Sequence, residues 1–267
     1  MPDETSRHDR WSSGSAYEPY VGRWSRLVAH EFVGWLDVSS KARWLDVGCG
    51  TAALTRTILA LSDPTAVLGV DQSAGFVAFS ASQVGHPDAA FVTGDAAALP
   101  VADSACDVAV SGLVLNFVPE PSRMVAGMAR VTREGGRVAL YVWDYGGEMQ
   151  MMRHFWDNAV ELYPAARDLD EGSRFSVCEL DRLEALFEGA GLAAVQTKAI
   201  DIATPFRDFD DYWSPFLGGT GAAPGYVASL TEERRAALSE RLRARLPVDS
   251  DGGISLIARA LAVRGTR

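Results

Sequence analysis

Between residues 40 and 145, hydrophobic positions fall into short runs separated by helical stretches. Arg43-Trp44-Leu45-Asp46-Val47 is an apolar run closed by Gly48-Cys49-Gly50, which reads as a strand entering a tight turn. Ala66 to Asp71, Ala89 to Thr93, Ala105 to Ser111 and Arg137 to Trp143 repeat the strand pattern. Helical spacing predicts helices over Thr51 to Leu61, Ala74 to Val84 and Pro121 to Arg133. The last has Pro near its start and Gly135-Gly136 past its end. Strands that alternate with helices predict parallel βαβ units in a doubly wound sheet.

The rhythm changes outside this stretch. Residues 1–15 are polar and read as a flexible tail. Tyr20, Trp24, Leu27, Val28, Phe32 and Trp35 recur at helical spacing, predicting one or two helices over 17–37. After Trp143, Met149 to Tyr163 and Glu179 to Ala190 read as helices, and Ala193 to Ile202 and Ile254 to Arg264 as two further strands. Residues 206–246 are helical, aromatic-rich and then charged, with the loop Gly218-Gly219-Thr220-Gly221 between. No linker interrupts the chain. The expected organisation is therefore one domain over 16–267 carrying helical insertions at about 145–176 and 206–246.

Composition narrows the function classes. The 267 residues are 48% hydrophobic and 22% charged, as in a globular α/β protein. Subtracting 35 acidic from 25 basic residues leaves −10, a field that repels nucleic acids and anionic membranes. Three cysteines, Cys49, Cys106 and Cys178, form no CxxC pair. They predict neither a disulfide framework nor a metal site, and fit a reducing cytoplasm. The first residues lack the apolar stretch of a signal peptide. The longest apolar run, Val108 to Val118, falls well short of the roughly 20 residues that span a bilayer.

The chemistry concentrates at the glycine turn. Glycine admits positive φ and close approach of a ligand. Parallel sheets bind ligands outside the carboxyl ends of their strands. Asp71 ends the second strand, 21 residues after Gly50, a spacing that suits a carboxylate on ribose hydroxyls. Asp95 follows the third. Gly48-x-Gly50-x-x-Ala53 satisfies the relaxed dinucleotide pattern, so an NAD(P)-dependent oxidoreductase is one reading. Asp46 opposes it, because a carboxylate about 5 Å from a pyrophosphate costs about 3 kcal/mol per charge pair at an effective dielectric near 20. A ligand carrying ammonium or sulfonium charge gains from the same acid. S-adenosylmethionine (SAM) carries both, with a ribose for Asp71 and an adenine for the Asp95 loop.

Leu45-Asp46-Val47-Gly48-Cys49-Gly50-Thr51, Gly69-Val70-Asp71, Gly94-Asp95-Ala96, Leu99 to Asp107 and Arg130 to Arg137 together resemble the class I SAM-dependent methyltransferases. They are most similar to the small-molecule group that includes the ubiquinone and menaquinone methyltransferases. The resemblance covers roughly residues 40–145. It implies a Rossmann-like, mostly parallel seven-stranded sheet whose last strand is antiparallel, with helices on both faces and helical lid insertions. It implies SAM as cofactor and S-adenosylhomocysteine as product. By the same resemblance, Asp46, Gly48, Cys49 and Gly50 surround the methionine part, Asp71 and Gln72 the ribose and adenine, and Asp95 and Ala96 the adenine ring. Ser111 and Leu113 line the methionine side, and Tyr20 or Arg23 meets the methionine carboxylate. Ala52 departs from the family's pattern, which often has a third glycine there.

The substrate side is read from the insertions. Trp143, Tyr145, Met152, Phe155, Trp156, Tyr212, Trp213 and Phe216 predict an apolar cavity for a small molecule. His154, Tyr145 and Asn116 are the candidate catalytic groups, although transfer from an activated methyl donor needs chiefly positioning. The segment Ser111 to Phe117 lacks the Asn/Asp-Pro-Pro-aromatic motif of amino-group nucleic-acid methyltransferases. The expected partner is a small molecule, with neither nucleic acid nor membrane, acting on a monomer or homodimer. A SAM-binding protein that does not methylate would present the same cofactor motifs.

Overall fold

The computed structural model describes residues 22–218 and 221–267. The expected tail, together with Tyr17 and Tyr20, lies outside the described residues, as do Gly219 and Thr220. In chain order the strands are β1 (Arg43–Val47), β2 (Ala66–Asp71), β3 (Ala89–Thr93), β4 (Cys106–Gly112), β5 (Thr132–Trp143), β6 (Ala193–Phe206) and β7 (Ile254–Thr266). The helices are α1 (Arg23–Leu36), α2 (Ala53–Leu61), α3 (Ala74–Val84), α4 (Pro121–Val131), α5 (Gln150–Leu162), α6 (Glu171–Arg174), α7 (Leu180–Gly189), α8 (Phe209–Trp213), α9 (Ala222–Ser229) and α10 (Glu232–Arg245).

All seven strands form one sheet in the order β3-β2-β1-β4-β5-β7-β6. β1 through β5 pair in parallel, and β7 runs antiparallel to β5 with Trp143 opposite Ala260. This is the mostly parallel seven-stranded sheet that the motifs imply. Strands covered on both faces read as continuous apolar runs. Accordingly Trp44, Leu45, Val47, Val108, Ala109 and Val110 are all buried. Edge strand β3 is only partly covered.

Several boundaries differ from those the pattern predicts, most by one to five residues, and two of them have a local structural cause. α2 begins at Ala53 and not Thr51, because Ala52 takes a left-handed conformation (φ +63°) that helical backbone cannot include. α4 ends at Val131, and Gly135-Gly136 lie inside β5 instead of after the helix. The register between β4 and β5 shifts between Cys106 and Val108, and Gly135 (φ +71°) donates to the Arg267 carbonyl at 2.8 Å. The glycines therefore serve an irregularity within the strand.

The chain divides into two compact units. Among the described residues, one comprises 25–143, 177–200 and 260–267, and the other 22–24, 144–176, 201–218 and 221–259. The first holds β1 to β5 with α2, α3, α4 and α7. The second collects the two expected insertions. Its interior is aromatic: Phe155 stacks on Phe216 at 4.5 Å, Trp156 meets Tyr226 at 5.6 Å, and Tyr212 meets Phe216 at 5.4 Å. The buried Tyr212 hydroxyl donates to the Met151 carbonyl at 2.9 Å, and the Trp156 indole donates to Glu171. Arg153 forks onto both oxygens of Asp170 at 3.0 and 2.7 Å. On α10, Thr231 caps the first turn, Glu232 and Glu233 come next, and Arg243 and Arg245 close the last. These charges complement the helix dipole on a mostly solvated helix that buries only Leu238 and Leu242.

Candidate functional site

The three predicted acids end up at the carboxyl ends of β1, β2 and β3, all within the first unit. The turn after β1 is held to β2 by its backbone. The Gly48 and Cys49 N–H groups both donate to the Val70 carbonyl, at 2.7 and 3.0 Å. Gly48 (φ +74°) has no room for a side chain, since a Cβ there would lie 2.4 Å from a Val114 methyl. The residue is glycine for both reasons. Its missing side chain lets the segment after β4 close directly on the turn.

Asp71 ties this turn to the next helix. Its Oδ2 accepts from the Gly50 N–H at 3.0 Å and its Oδ1 from the Ser73 N–H at 2.8 Å. One carboxylate thus joins the glycine turn to the start of α3, where Ser73 caps the helix. The buried Ser80 hydroxyl donates to the Gly50 carbonyl at 2.7 Å, a second link between the same helix and the same turn. Gln72 beside Asp71 is exposed. Asp95 is exposed too, and its Oδ1 accepts from the Ala97 N–H at 2.8 Å, turning the chain after β3 with Ala96 half-buried inside the bend. Gly94 permits this turn, because a Cβ there would collide with Pro100 at 2.7 Å.

Asp46 is the electrostatic anomaly. It is 1% exposed. Its Oδ2 accepts from the Thr55 hydroxyl at 2.6 Å, whereas Oδ1 is buried with no hydrogen-bond partner. Burial pushes its pKa up to about 7; the Thr55 hydrogen bond opposes the rise and nearby Asp71 adds to it. A buried carboxylate oxygen without a donor is costly unless a ligand supplies one. The neighbouring Cys49 thiol is likewise pushed well up by burial and by both acids, so it is no nucleophile.

β4 completes the site. The buried Ser111 hydroxyl donates to the Val47 carbonyl at 2.7 Å, fixing β4 to the end of β1. Leu113 then takes φ +62°, and its N–H donates to the Tyr141 carbonyl at 2.8 Å. This reverses the chain into a short 3-10 turn, Leu115–Phe117. Within it, both Nδ2 and Oδ1 of Asn116 are buried without a partner.

Most of the remaining predicted residues belong to the second unit. Arg23 belongs to the second unit, where it pairs with Asp211 at 3.3 Å and lies over the Trp24 and Phe206 rings. Trp143 is buried in the first unit. Tyr145, Met152, Phe155, Trp156, Tyr212 and Phe216 are buried in the second, with Trp213 half-buried beside Phe209. Tyr145 meets the Phe175 ring edge-on at 5.3 Å. His154 is half-buried, and burial lowers its pKa against the pull of Asp157. Sequence reasoning missed Thr55, Ser73, Ser80 and Val114. Ser73 directly before an apolar helix was a readable cap signal; the others depend on contacts between distant segments. A groove of about 300 Å³ lies at the opposite strand ends, beside Lys41, Asp107, Arg133 and Arg137. Its Arg133 and Lys41 pair with Asp107 and Asp63.

Comparison with known proteins places this geometry. A family model described as a methyltransferase domain matches residues 45–140, the segment from β1 into β5. A demethylmenaquinone methyltransferase of Paenarthrobacter aurescens is 35% identical over 121 residues, which is 44% of each chain. The chain thus spans less than half the length of the first curated relatives it matches. An uncharacterized methyltransferase of Mycolicibacterium paratuberculosis is 31% identical over 199 residues, covering 64% of this chain and 78% of that one. Among solved structures, a Haemonchus contortus phosphoethanolamine N-methyltransferase in complex with S-adenosyl-L-methionine superposes with a TM-score of 0.61 at 12% identity. It covers all of this chain and 60% of its own. Among the described residues, no helix is long and apolar enough to cross a membrane.

Proposed function

This chain belongs to the SAM-dependent methyltransferase family, and from that premise we propose that it moves a methyl group from SAM to an oxygen, nitrogen or carbon atom of a small, mostly apolar molecule. The observation that carries the reading is the buried, unpartnered Oδ1 of Asp46 at the end of β1. That oxygen suits a cation and opposes a pyrophosphate, so a nicotinamide dinucleotide is the poorer fit. When bound, SAM supplies a methyl group already activated on a positively charged sulfur.

This chain's residues then have three tasks. Asp71 accepts hydrogen bonds from the ribose hydroxyls with the lone pairs its two backbone bonds leave free. Gln72, Asp95 and Ala96 border the adenine. Gly48, Cys49 and Gly50, with Ser111 and Leu113, form the backbone wall against which the methionine part lies. Tyr20 and Arg23 remain our proposal for its carboxylate. Holding donor and acceptor in line supplies most of the acceleration. A base is needed only where the acceptor must lose a proton. His154, whose lowered pKa favours the neutral imidazole, has the chemistry to take it, with Tyr145 as the alternative.

We assign the substrate-determining role to the insertions 145–176 and 206–246, with the tail 1–15 outside a single domain 16–267. The aromatic residues Trp143, Tyr145, Met152, Phe155, Trp156, Tyr212, Trp213 and Phe216 favour an apolar substrate over nucleic acid or membrane. Three cysteines outside any disulfide fit a cytoplasmic protein, acting as a monomer or homodimer. Parallel calorimetric titrations with SAM, S-adenosylhomocysteine and NAD(P) test the reading. Micromolar binding of the first two alone is the expected result, with labelled-SAM turnover of small apolar acceptors as the second step. Binding of NAD(P) alone overturns it.

A further inference from the structure

The sheet has two edges, and the chain guards only one of them. Edge strand β6 carries Lys198, Asp201 and Pro205, the kinds of residue that keep an open edge from pairing with another chain. Edge strand β3, Ala89-Ala90-Phe91-Val92-Thr93, has no charge, no proline and no bulge. Among the described residues it pairs only with β2. The Asp88 carbonyl accepts from the Val67 N–H at 2.7 Å, and the Gly94 N–H donates to the Asp71 carbonyl at 3.0 Å. The even-numbered residues thus turn their backbone groups toward β2. Alternation points the N–H and C=O groups of Phe91 and Thr93, and the Ala89 carbonyl, to the open edge.

The helix beside that edge is as bare. α3 packs on β3 and β2, yet Ser80 is its only buried residue. Phe79 on the helix is 41% exposed and Val92 on the strand 39%. No Asp, Glu, Lys or Arg occurs from Gln72 to Pro87. By contrast α10, the solvated helix of the same chain, carries eight charges in 14 residues. An uncharged helix next to an unguarded strand is the surface of an interaction site.

Charge, size and symmetry select the occupant. The chain carries −10, so an uncharged face is where two copies meet with least repulsion. Adsorption to a membrane surface draws on basic residues beside the apolar ones, and this stretch has none. Residues 74–93 form a patch at the low end of the roughly 20–30 residues a side that a stable interface uses. The open edge is also self-complementary. A two-fold axis perpendicular to the sheet at Phe91 sets Ala89 opposite Thr93, which aligns the outward-pointing groups of both copies. The same axis brings the two α3 helices side by side on one face of the sheet.

We propose that the chain forms a two-fold homodimer through the β3 edge and α3, joining two seven-stranded sheets into one continuous sheet. The two Phe91 residues exchange N–H···O bonds, and each Thr93 N–H donates to the Ala89 carbonyl of the second copy. Phe79 is covered by the helix of the second copy. The dimer depends on no cofactor, so it stands or falls separately from the methyl-transfer reading.

Sedimentation equilibrium of the full-length chain without cofactor tests it. Wild type is expected to dimerise with a Kd of about 10 µM or tighter, as suits an interface of this size. Phe79→Glu and Val92→Lys put charge into the contact and should each weaken it about tenfold or more. Both side chains are exposed, so circular dichroism and thermal unfolding in dilute solution should match wild type. Val248→Lys, at an exposed apolar residue elsewhere, should leave association unchanged. Hydrogen exchange reads the strand pairing itself: the Phe91 and Thr93 amides should exchange fast in dilute protein and become protected as the concentration passes the Kd. A wild-type monomer at about 100 µM overturns the proposal. So does a dimer that Phe79→Glu and Val92→Lys leave intact, or one whose Phe91 and Thr93 amides stay unprotected, since its interface lies elsewhere. Equal weakening by Val248→Lys means unspecific association and overturns it too. A monomer that pellets with phosphatidylcholine vesicles gives the face to a lipid surface instead.

Discussion

Replacing Asp46 by Asn should make the protein's stability less dependent on pH. The folded protein holds the Asp46 proton up to about pH 7, whereas an unperturbed aspartate releases it near 3.8. Between those values the unfolded chain binds fewer protons than the folded one, so Asp46 lowers stability as pH rises. The full loss across the window is about 4 kcal/mol, and about 2–3 kcal/mol of it falls between pH 5 and pH 8. Asn mimics the neutral acid and keeps an acceptor for the Thr55 hydroxyl, which donates to Asp46 at 2.6 Å. Urea unfolding of wild type and Asp46→Asn at pH 5 and pH 8 measures the difference, and groups shared by both proteins cancel. The variant should gain about 2–3 kcal/mol on wild type between the two pH values. A gap that stays constant across that range refutes the buried, proton-holding state of Asp46. The same titration has a counterpart in binding. A cationic ligand favours the ionised acid, so SAM should bind about tenfold more weakly at pH 6 than at pH 8, and Asp46→Asn should lose that dependence.

Other expectations concern the turn and the second unit. Gly48→Ala places a methyl 2.4 Å from Val114 at φ +74°, and the left-handed backbone alone costs about 1–2 kcal/mol. A lowered melting temperature and at least tenfold weaker SAM binding on the order of that strain should result, measured by thermal unfolding and calorimetry. Asp71→Ala removes the acceptor of the Gly50 and Ser73 N–H groups and of the ribose, so SAM affinity should fall by about 1.5–3 kcal/mol. Unchanged affinity would remove Asp71 from the site. Phe155→Ala opens the stack on Phe216 and should cost about 3–5 kcal/mol in denaturant unfolding; a loss below about 1 kcal/mol would mean the aromatic interior is loosely packed.

Local pattern was enough to reveal the elements that carry the cofactor chemistry. β1, β2, β3 and α3 have the bounds read from the sequence, because parallel strands buried on both faces leave unbroken apolar runs and Gly, Asp and Ser punctuate their ends. Asp46, Asp71 and Asp95 could be placed at one edge of a sheet for the same reason. Alternation puts successive strands in parallel, so the acids at their carboxyl ends share one side of the sheet.

Tertiary structure decided the rest. Whether Gly135-Gly136 closes a helix or bends a strand depends on the partner strand β4, which lies some 25 residues away in the chain. The contributions of Thr55, Ser80 and Val114 arise from contacts across 9, 30 and 66 residues. No local spacing encodes them. An aspartate in a sequence is an ordinary acid, and an asparagine after a strand is an ordinary loop residue. Only the packed fold buries Asp46 Oδ1 and both polar atoms of Asn116 and leaves these three atoms without partners. Because the energy of a polar group depends on what surrounds it, the residues could be read one by one, but their charge state and unmade hydrogen bonds exist only in three dimensions.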